Sequence, residues 1–235
     1  MKNLLLLSVL VILAAAEINA QNGGINFMVG FPQGEFKKNV DRAGVGLNAQ
    51  FLLWTPNSQM PASAGLNIGF MNYGSETRTE PFSTTIPDVM VDVSRSNNLV
   101  NFHFMFQISP FEGPVKPYAE ALFGGAYLFT STEIKSQGHY NDEVASTTNF
   151  SDWAWSYGGG GGFLIKLYEN EKTKEEGEMK LSSFWLDLKA RYLFGSEASY
   201  LKEGSVEIFN GRAYYQESRS KTDLFSIHLG VVAEF

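Results

Sequence analysis

The chain has 235 residues, enough for one domain or at most two, and its charged content of 18% lies below the roughly 25% usual in soluble domains. Aromatic content of 14% and 23 glycines point to strands and turns rather than helices. A net charge of -7 with no Lys/Arg cluster argues against nucleic acid as a partner, and zero cysteines exclude disulfides, thiolate metal sites, a cysteine nucleophile and a lipidated N-terminal cysteine.

Residues 1–20 read as a secretory signal. Lys2 supplies the positive start, Leu4 to Ala16 the apolar stretch, and Ile18-Asn19-Ala20 a cleavage site before Gln21. The apolar stretch is shorter than the ~20 residues a spanning helix needs. No later segment approaches that length, so a mature chain in a membrane would have to cross it as a barrel, residues 21–235 forming one domain.

From Gln21 onward apolar residues recur at period two in eight blocks. The first sets Ile25, Phe27, Val29 and Phe31 against Asn26, Met28 and Gly30, and the second sets Val45, Leu47, Ala49, Phe51 and Leu53 against Gly46, Asn48 and Gln50. The third carries Ala64, Leu66, Ile68 and Phe70, the fourth Val100, Phe102, Phe104, Phe106 and Ile108. In the fifth, Ala119, Ala121, Phe123, Gly125, Tyr127 and Phe129 oppose Glu120; in the sixth, Trp155, Tyr157, Phe163, Ile165 and Leu167 share a face. The seventh sets Phe184, Leu186, Leu188, Ala190, Tyr192 and Phe194 against Trp185, Asp187, Lys189, Arg191 and Leu193. The eighth places Phe225, Ile227, Leu229, Val231, Ala233 and Phe235 on one face.

Connections alternate in length. Turns are expected at 54–62, 109–116 and 168–181, the last highly charged, and outward loops at 33–42, 73–97, 130–152 and 195–223. Within the last loop, Asn210-Gly211 between β-formers predicts a type I′ hairpin tip, so that strands seven and eight continue beyond the membrane as one tall hairpin.

A soluble, lipocalin-like ligand-binding barrel also has eight strands, with its apolar face inside. The polar face here is mostly Gly, Asn, Gln, Ser and Met, too weakly charged for a solvated surface but suited to the narrow interior of an eight-stranded barrel. Aromatics gather at the strand ends: Trp54, Phe111, Tyr118, Phe184 and Phe235 at the periplasmic rim, and Tyr73, Tyr127, Trp153, Trp155 and Tyr192 at the outer one. The expected fold is all-β, an eight-stranded antiparallel up-and-down transmembrane β-barrel.

With its signal, eight alternating strands, the Pro117-Tyr118-Ala119-Glu120 start of strand five and the terminal Phe225–Phe235 strand, the chain resembles the small outer-membrane β-barrel family that includes OmpX and the barrel domain of OmpA. The resemblance implies residence in the outer membrane of a Gram-negative bacterium. It also implies that the terminal strand, with Phe225, Ile227, Leu229, Val231, Ala233 and Phe235, is the signal read by the barrel assembly machinery. No peptidoglycan-binding domain is expected after Phe235.

Candidate chemistry is sparse. Glu120, Lys166, Asp187, Lys189 and Glu234 face the lumen from four consecutive strands, with Arg191 higher, and read as an internal salt-bridge plug; a gate or proton path is the functional alternative. The Gly158–Gly162 run lacks the Lys-Ser/Thr and helix of a phosphate loop, and reads as a smooth wall for bulky neighbours or a bulge. His103 and His228 are expected in the lumen and His139 in a loop; a His-x-Ser motif of barrel deacylases is absent, and His139 near Asp142 and Glu143 is too nonspecific for a metal site. The leading expectation is a non-enzymatic barrel with a closed polar lumen, no cofactor and no catalytic or metal residues. Its outer hairpins serve surface interaction or envelope integrity. Its expected partners are the outer-membrane lipid bilayer, the assembly machinery and an extracellular protein or surface ligand. A lipid-modifying barrel enzyme and a narrow channel are the other readings.

Overall fold

The computed structural model describes residues 22–83, 86–136, 143–170, 181–209 and 212–235. The signal at 1–20, His139 and the Asn210-Gly211 tip lie outside the described residues, as does most of the charged connection at 168–181.

Eight strands close into an antiparallel barrel: β1 (Asn22–Pro32), β2 (Gly44–Leu52), β3 (Ala62–Ser83), β4 (Ile86–Ile108), β5 (Val115–Ser136), β6 (Glu143–Glu169), β7 (Ser183–Gly195) and β12 (Leu224–Glu234). Closure runs between the first and last strands, from Asn22 opposite Glu234 to Pro32 opposite Leu224. On the other side of the last strand, the ladder with β7 is extended by Ser182, whose backbone N–H donates to the Glu234 carbonyl at 2.8 Å. Side chains alternate across this wall with period two, so each strand contributes one face to the interior and one to the outside.

Four strands are far longer than their apolar blocks. The stretches 73–97 and 130–152, expected as loops, are largely strand. β3 pairs with β4 as far as Ser83 opposite Ile86, β4 with β5 as far as Val91 opposite Ser136, and β5 with β6 as far as Lys135 opposite Glu143. The 22 residues of β3 extend about 70 Å along the strand and, at a tilt near 40°, roughly 50 Å in height. The apolar band of such barrels is only about 25 Å tall. β3 to β6 therefore rise beyond it as a four-stranded wall.

The link at 33–42 also differs from the expected plain loop. Gly34, with φ of 55°, turns the chain into a short helix, α1 (Gly34–Asn39), with Glu35 in its first turn and Lys37 and Lys38 in its last, each favourable to the helix dipole. Its one buried residue, Phe36, drops over the barrel mouth and packs edge-on against Tyr73 and Tyr200, ring centroids 5.7 and 5.1 Å away.

The expected tall hairpin of strands seven and eight is broken into steps. β8 (Glu197–Tyr200) pairs with β11 (Ser218–Lys221), and β9 (Val206–Phe209) with β10 (Arg212–Tyr215), as separate two-stranded ribbons. Arg212 stands opposite Phe209, the register that a two-residue connection requires. Between the ribbons Gly204 takes φ of 78°, which turns the chain where residues 201–205 lie against the mouth. There the Gly204 N–H donates to Glu76 of β3 and Arg42 pairs with Glu203.

Candidate functional site

The outward face of the barrel decides its environment. Leu47, Phe106 and Trp155 are each 59% exposed, and Ile25, Phe104, Phe123, Leu229 and Ile227 join them in a continuous band. The described outward positions of the band carry no Lys, Arg, Asp or Glu from Gly23 to Phe31, from Leu66 to Phe70, from Val100 to Ile108 or from Phe184 to Phe194. Water-soluble proteins do not expose apolar surface on this scale. The protein is a transmembrane β-barrel of the outer-membrane type. The barrel's short connections then lie on the periplasmic side, and α1, the wall and the broken ribbon lie outside.

Aromatic residues mark both edges of the band. Trp153, Trp155 and Tyr127 are exposed, Tyr192, Phe184 and Trp54 partly so, and the Trp54 indole N–H donates to the Ala62 carbonyl at 2.6 Å. Tyr118 and Tyr73 are not part of either girdle. Tyr118 sits on the inward parity of β5 together with Glu120, and its hydroxyl donates to Asp187 at 2.6 Å. Tyr73 is buried at the outer mouth against Phe36. On the terminal strand Ile227, Leu229, Val231 and Phe235 face lipid, with Phe225 and Ala233 half-buried beside neighbouring strands.

Within the lumen the charges fall into two groups. Arg191 of β7 meets Glu120 of β5 through Nε and Nη2, the latter at 3.0 Å from Oε2, and its Nη1 reaches Asn48 and Asn67 at 3.3 and 3.2 Å. Asp187 accepts from Lys189 at 2.9 Å, from Asn26 at 2.9 Å and from the Tyr118 hydroxyl, while Lys189 also donates to Gln50. All four charged side chains are almost wholly buried. Every one has an opposite charge, and Arg191, Asp187 and Lys189 have further hydrogen bonds, as a low-dielectric interior requires.

The other two charges stand apart at the periplasmic rim. Glu234 accepts from Ser183 at 2.5 Å and pairs with Lys116 at 3.4 Å, and Lys166 pairs with the exposed Glu169 instead of entering the buried group. Lys166 stands in register with the inward Trp185, its Nζ 5.2 Å from that ring's centroid, and the register shifts between it and Tyr168. Lys116, missed in the sequence, lies 4.2 Å over the Trp185 ring; its even-numbered parity with Tyr118 and Glu120 would have placed it inside.

The glycine run on β6 explains how long side chains fit. Gly160 stands opposite Glu120 on one side and Arg191 on the other, and Gly162 opposite Tyr118 and Lys189. A Cβ at Gly160 would lie 2.9 Å from Arg191 Cγ; one at Gly162 would lie 2.7 Å from Lys189 Cβ and 2.9 Å from Tyr118 Oη. The run is a floor on which the charged side chains lie.

Clusters of buried apolar residues lie toward both ends of the lumen. Tyr118, Leu164, Trp185 and Val232 cluster on the periplasmic side, and Met28, Met71, Leu99, Leu128 and Leu224 form an outer cluster capped by Phe36, Tyr73 and Tyr200. The lumen is thus layered, more apolar at its ends than the small polar lining read from the sequence.

Two histidines lie beside serines inside the barrel: His103 Nε2 is 2.9 Å from Ser156 Oγ, and His228 Nε2 is 2.9 Å from Ser226 Oγ. A serine nucleophile needs a histidine oriented by a third group. Here both Nδ1 atoms are buried without a hydrogen-bond partner, and the serines are sealed from lipid and solvent.

No family model and no curated protein matches the chain. Among solved structures, Neisserial surface protein A aligns over 91% of this chain and 96% of its own with 10% identity and a TM-score of 0.39. A major outer membrane protein from Thermus thermophilus aligns over 91% and 99% with 13% identity and a TM-score of 0.38. The N-terminal β-barrel domain of Pseudomonas aeruginosa OprF aligns over 92% and 98% with 11% identity and a TM-score of 0.30. The membrane assignment rests on the barrel's own apolar band.

Proposed function

We propose that this protein is a non-enzymatic, non-conducting anchor that holds a β-wall outside the outer membrane as a surface for an extracellular protein or other surface ligand. Residues 1–20 direct its export, and the terminal strand ending in Phe235 directs its insertion by the assembly machinery. One observation carries the reading: the pairing of β3 to β6 above the apolar band, which leaves the backbone edge of β3 from Gly74 to Arg78 without a partner strand among the described residues. An open edge of this kind accepts an added strand. The two apolar layers and the fully paired charges between them favour a closed lumen over a channel.

The test replaces residues 75–96 with a two-residue turn. The shortened barrel is expected to keep its heat-modifiable gel migration, while cells displaying it lose adherence to protein-coated surfaces. Unchanged adherence would remove the wall from function, and stable conductance steps from pure protein in a planar bilayer would refute the closed lumen.

A further inference from the structure

The outer mouth holds a cleft of about 210 Å³ that belongs neither to the charged layer nor to the wall. Its sides come from three separate parts of the chain: Asn39 at the end of α1 with Asp41 and Arg42 after it, Tyr73 and Asn97 at the base of the β3–β4 hairpin, and Lys202 and Glu203 after β8. Such convergence is set by packing, since Phe36 is clamped between Tyr73 and Tyr200 and so fixes the segment that follows α1.

The lining is balanced in charge. Arg42 is taken up by Glu203, and Lys202 is matched in number by Asp41. What the cleft offers is a set of neutral hydrogen-bonding groups. Asn39 spends Nδ2 on the Tyr200 hydroxyl at 2.9 Å, which leaves its carbonyl oxygen as an acceptor. Asn97 accepts from Thr130 at 2.7 Å through Oδ1, which leaves its amide hydrogens as donors. Tyr73 is 2% exposed and its hydroxyl has no hydrogen-bond partner, an arrangement rare for a buried polar group. Burial first, and the neighbouring Tyr200 second, hold that hydroxyl above the usual phenol range, so it remains a neutral donor and acceptor.

We propose that this cleft binds one ring of an uncharged saccharide. Adjacent sugar hydroxyls each donate and accept, which matches the amide groups of Asn39 and Asn97 and the phenol of Tyr73, three of the residues that line the cleft. The volume is below the roughly 300 Å³ at which drug-sized pockets begin, and suits a single ring.

The test uses the full chain in micelles of a detergent without a sugar headgroup, since alkyl glucosides would compete. Saturation-transfer difference NMR is run with methyl α-glucoside, methyl β-galactoside, N-acetylglucosamine and glucuronate. At least one neutral sugar is expected to give ring-proton signals stronger than glucuronate gives. Its affinity should fall roughly 2- to 10-fold in Tyr73→Phe, the effect of one hydrogen bond with the packed ring retained, and similarly in Asn97→Ala. Absence of signal from all three neutral sugars, a preference for glucuronate, or equal binding by wild type and both variants would overturn the proposal. Heat-modifiable migration reports whether each variant is folded, and Asn97→Ala alone suffices should Tyr73→Phe fail to fold.

Discussion

Arg191 and Glu120 form their ion pair across an intervening strand, with Gly160 of β6 in register between them. A side chain at that position would occupy the space through which the guanidinium passes. The glycine run, the buried arginine and the buried glutamate are therefore one feature.

Gly160→Val is expected to lower barrel stability by several kcal/mol. Overpacking alone costs about 1–3 kcal/mol, and separation of the buried pair adds to it, since an uncompensated buried charge costs about 3–5 kcal/mol. Urea unfolding from lipid vesicles, followed by tryptophan fluorescence, measures the change. The outward-facing Gly159→Val, whose Cβ would meet the Glu120 carbonyl at 2.9 Å without entering the lumen, should cost less.

Glu120→Leu and Arg191→Leu should each destabilise the barrel by about 3–5 kcal/mol, and the double variant should recover most of that loss. Each single change strands a charge, whereas the double change removes both. If the double variant were as unstable as the sum of the singles, the pair would not be the unit that the geometry describes.

Leu229→Arg tests the apolar band directly. Leu229 lies opposite Phe27 and Leu188, both lipid-facing, on the terminal strand. A mid-depth arginine there costs about 2–4 kcal/mol, read as a lower urea midpoint in vesicles. A stability unchanged from wild type would show that this face does not meet hydrocarbon.

The band was the most legible part of the sequence, because one lipid face and one lumen face impose strict period two from Ile25 to Phe235. Parity also placed Asp187, Lys189, Arg191 and Trp185 inside, and would have done the same for Tyr118 had its aromatic character not suggested a rim. The wall was illegible for the opposite physical reason. Above the membrane both faces of β3 and β4 meet water, so apolar alternation vanishes, and the strands are held by polar cross-strand pairs such as Thr77 with Ser94 at 2.9 Å and Thr79 with Asp92 at 2.7 Å. The outer cap was hidden because it depends on contacts between distant segments. Nothing local to Phe36 announces Tyr73 and Tyr200.

Phe36→Ala should separate the cap from the barrel. Phe36 is fully buried and touches both tyrosine rings, so its loss removes an aromatic plug worth about 3–5 kcal/mol in a packed core. Those ring contacts involve Tyr73 on the upper part of β3 but no residue of β1, β7 or β12. Hydrogen exchange should therefore accelerate in α1, β8 and residues 201–205, while β1, β7 and β12 keep their protection and heat-modifiable migration persists. Exchange that rises equally in β1 and β12 would mean that Phe36 supports the barrel as a whole rather than its outer cap.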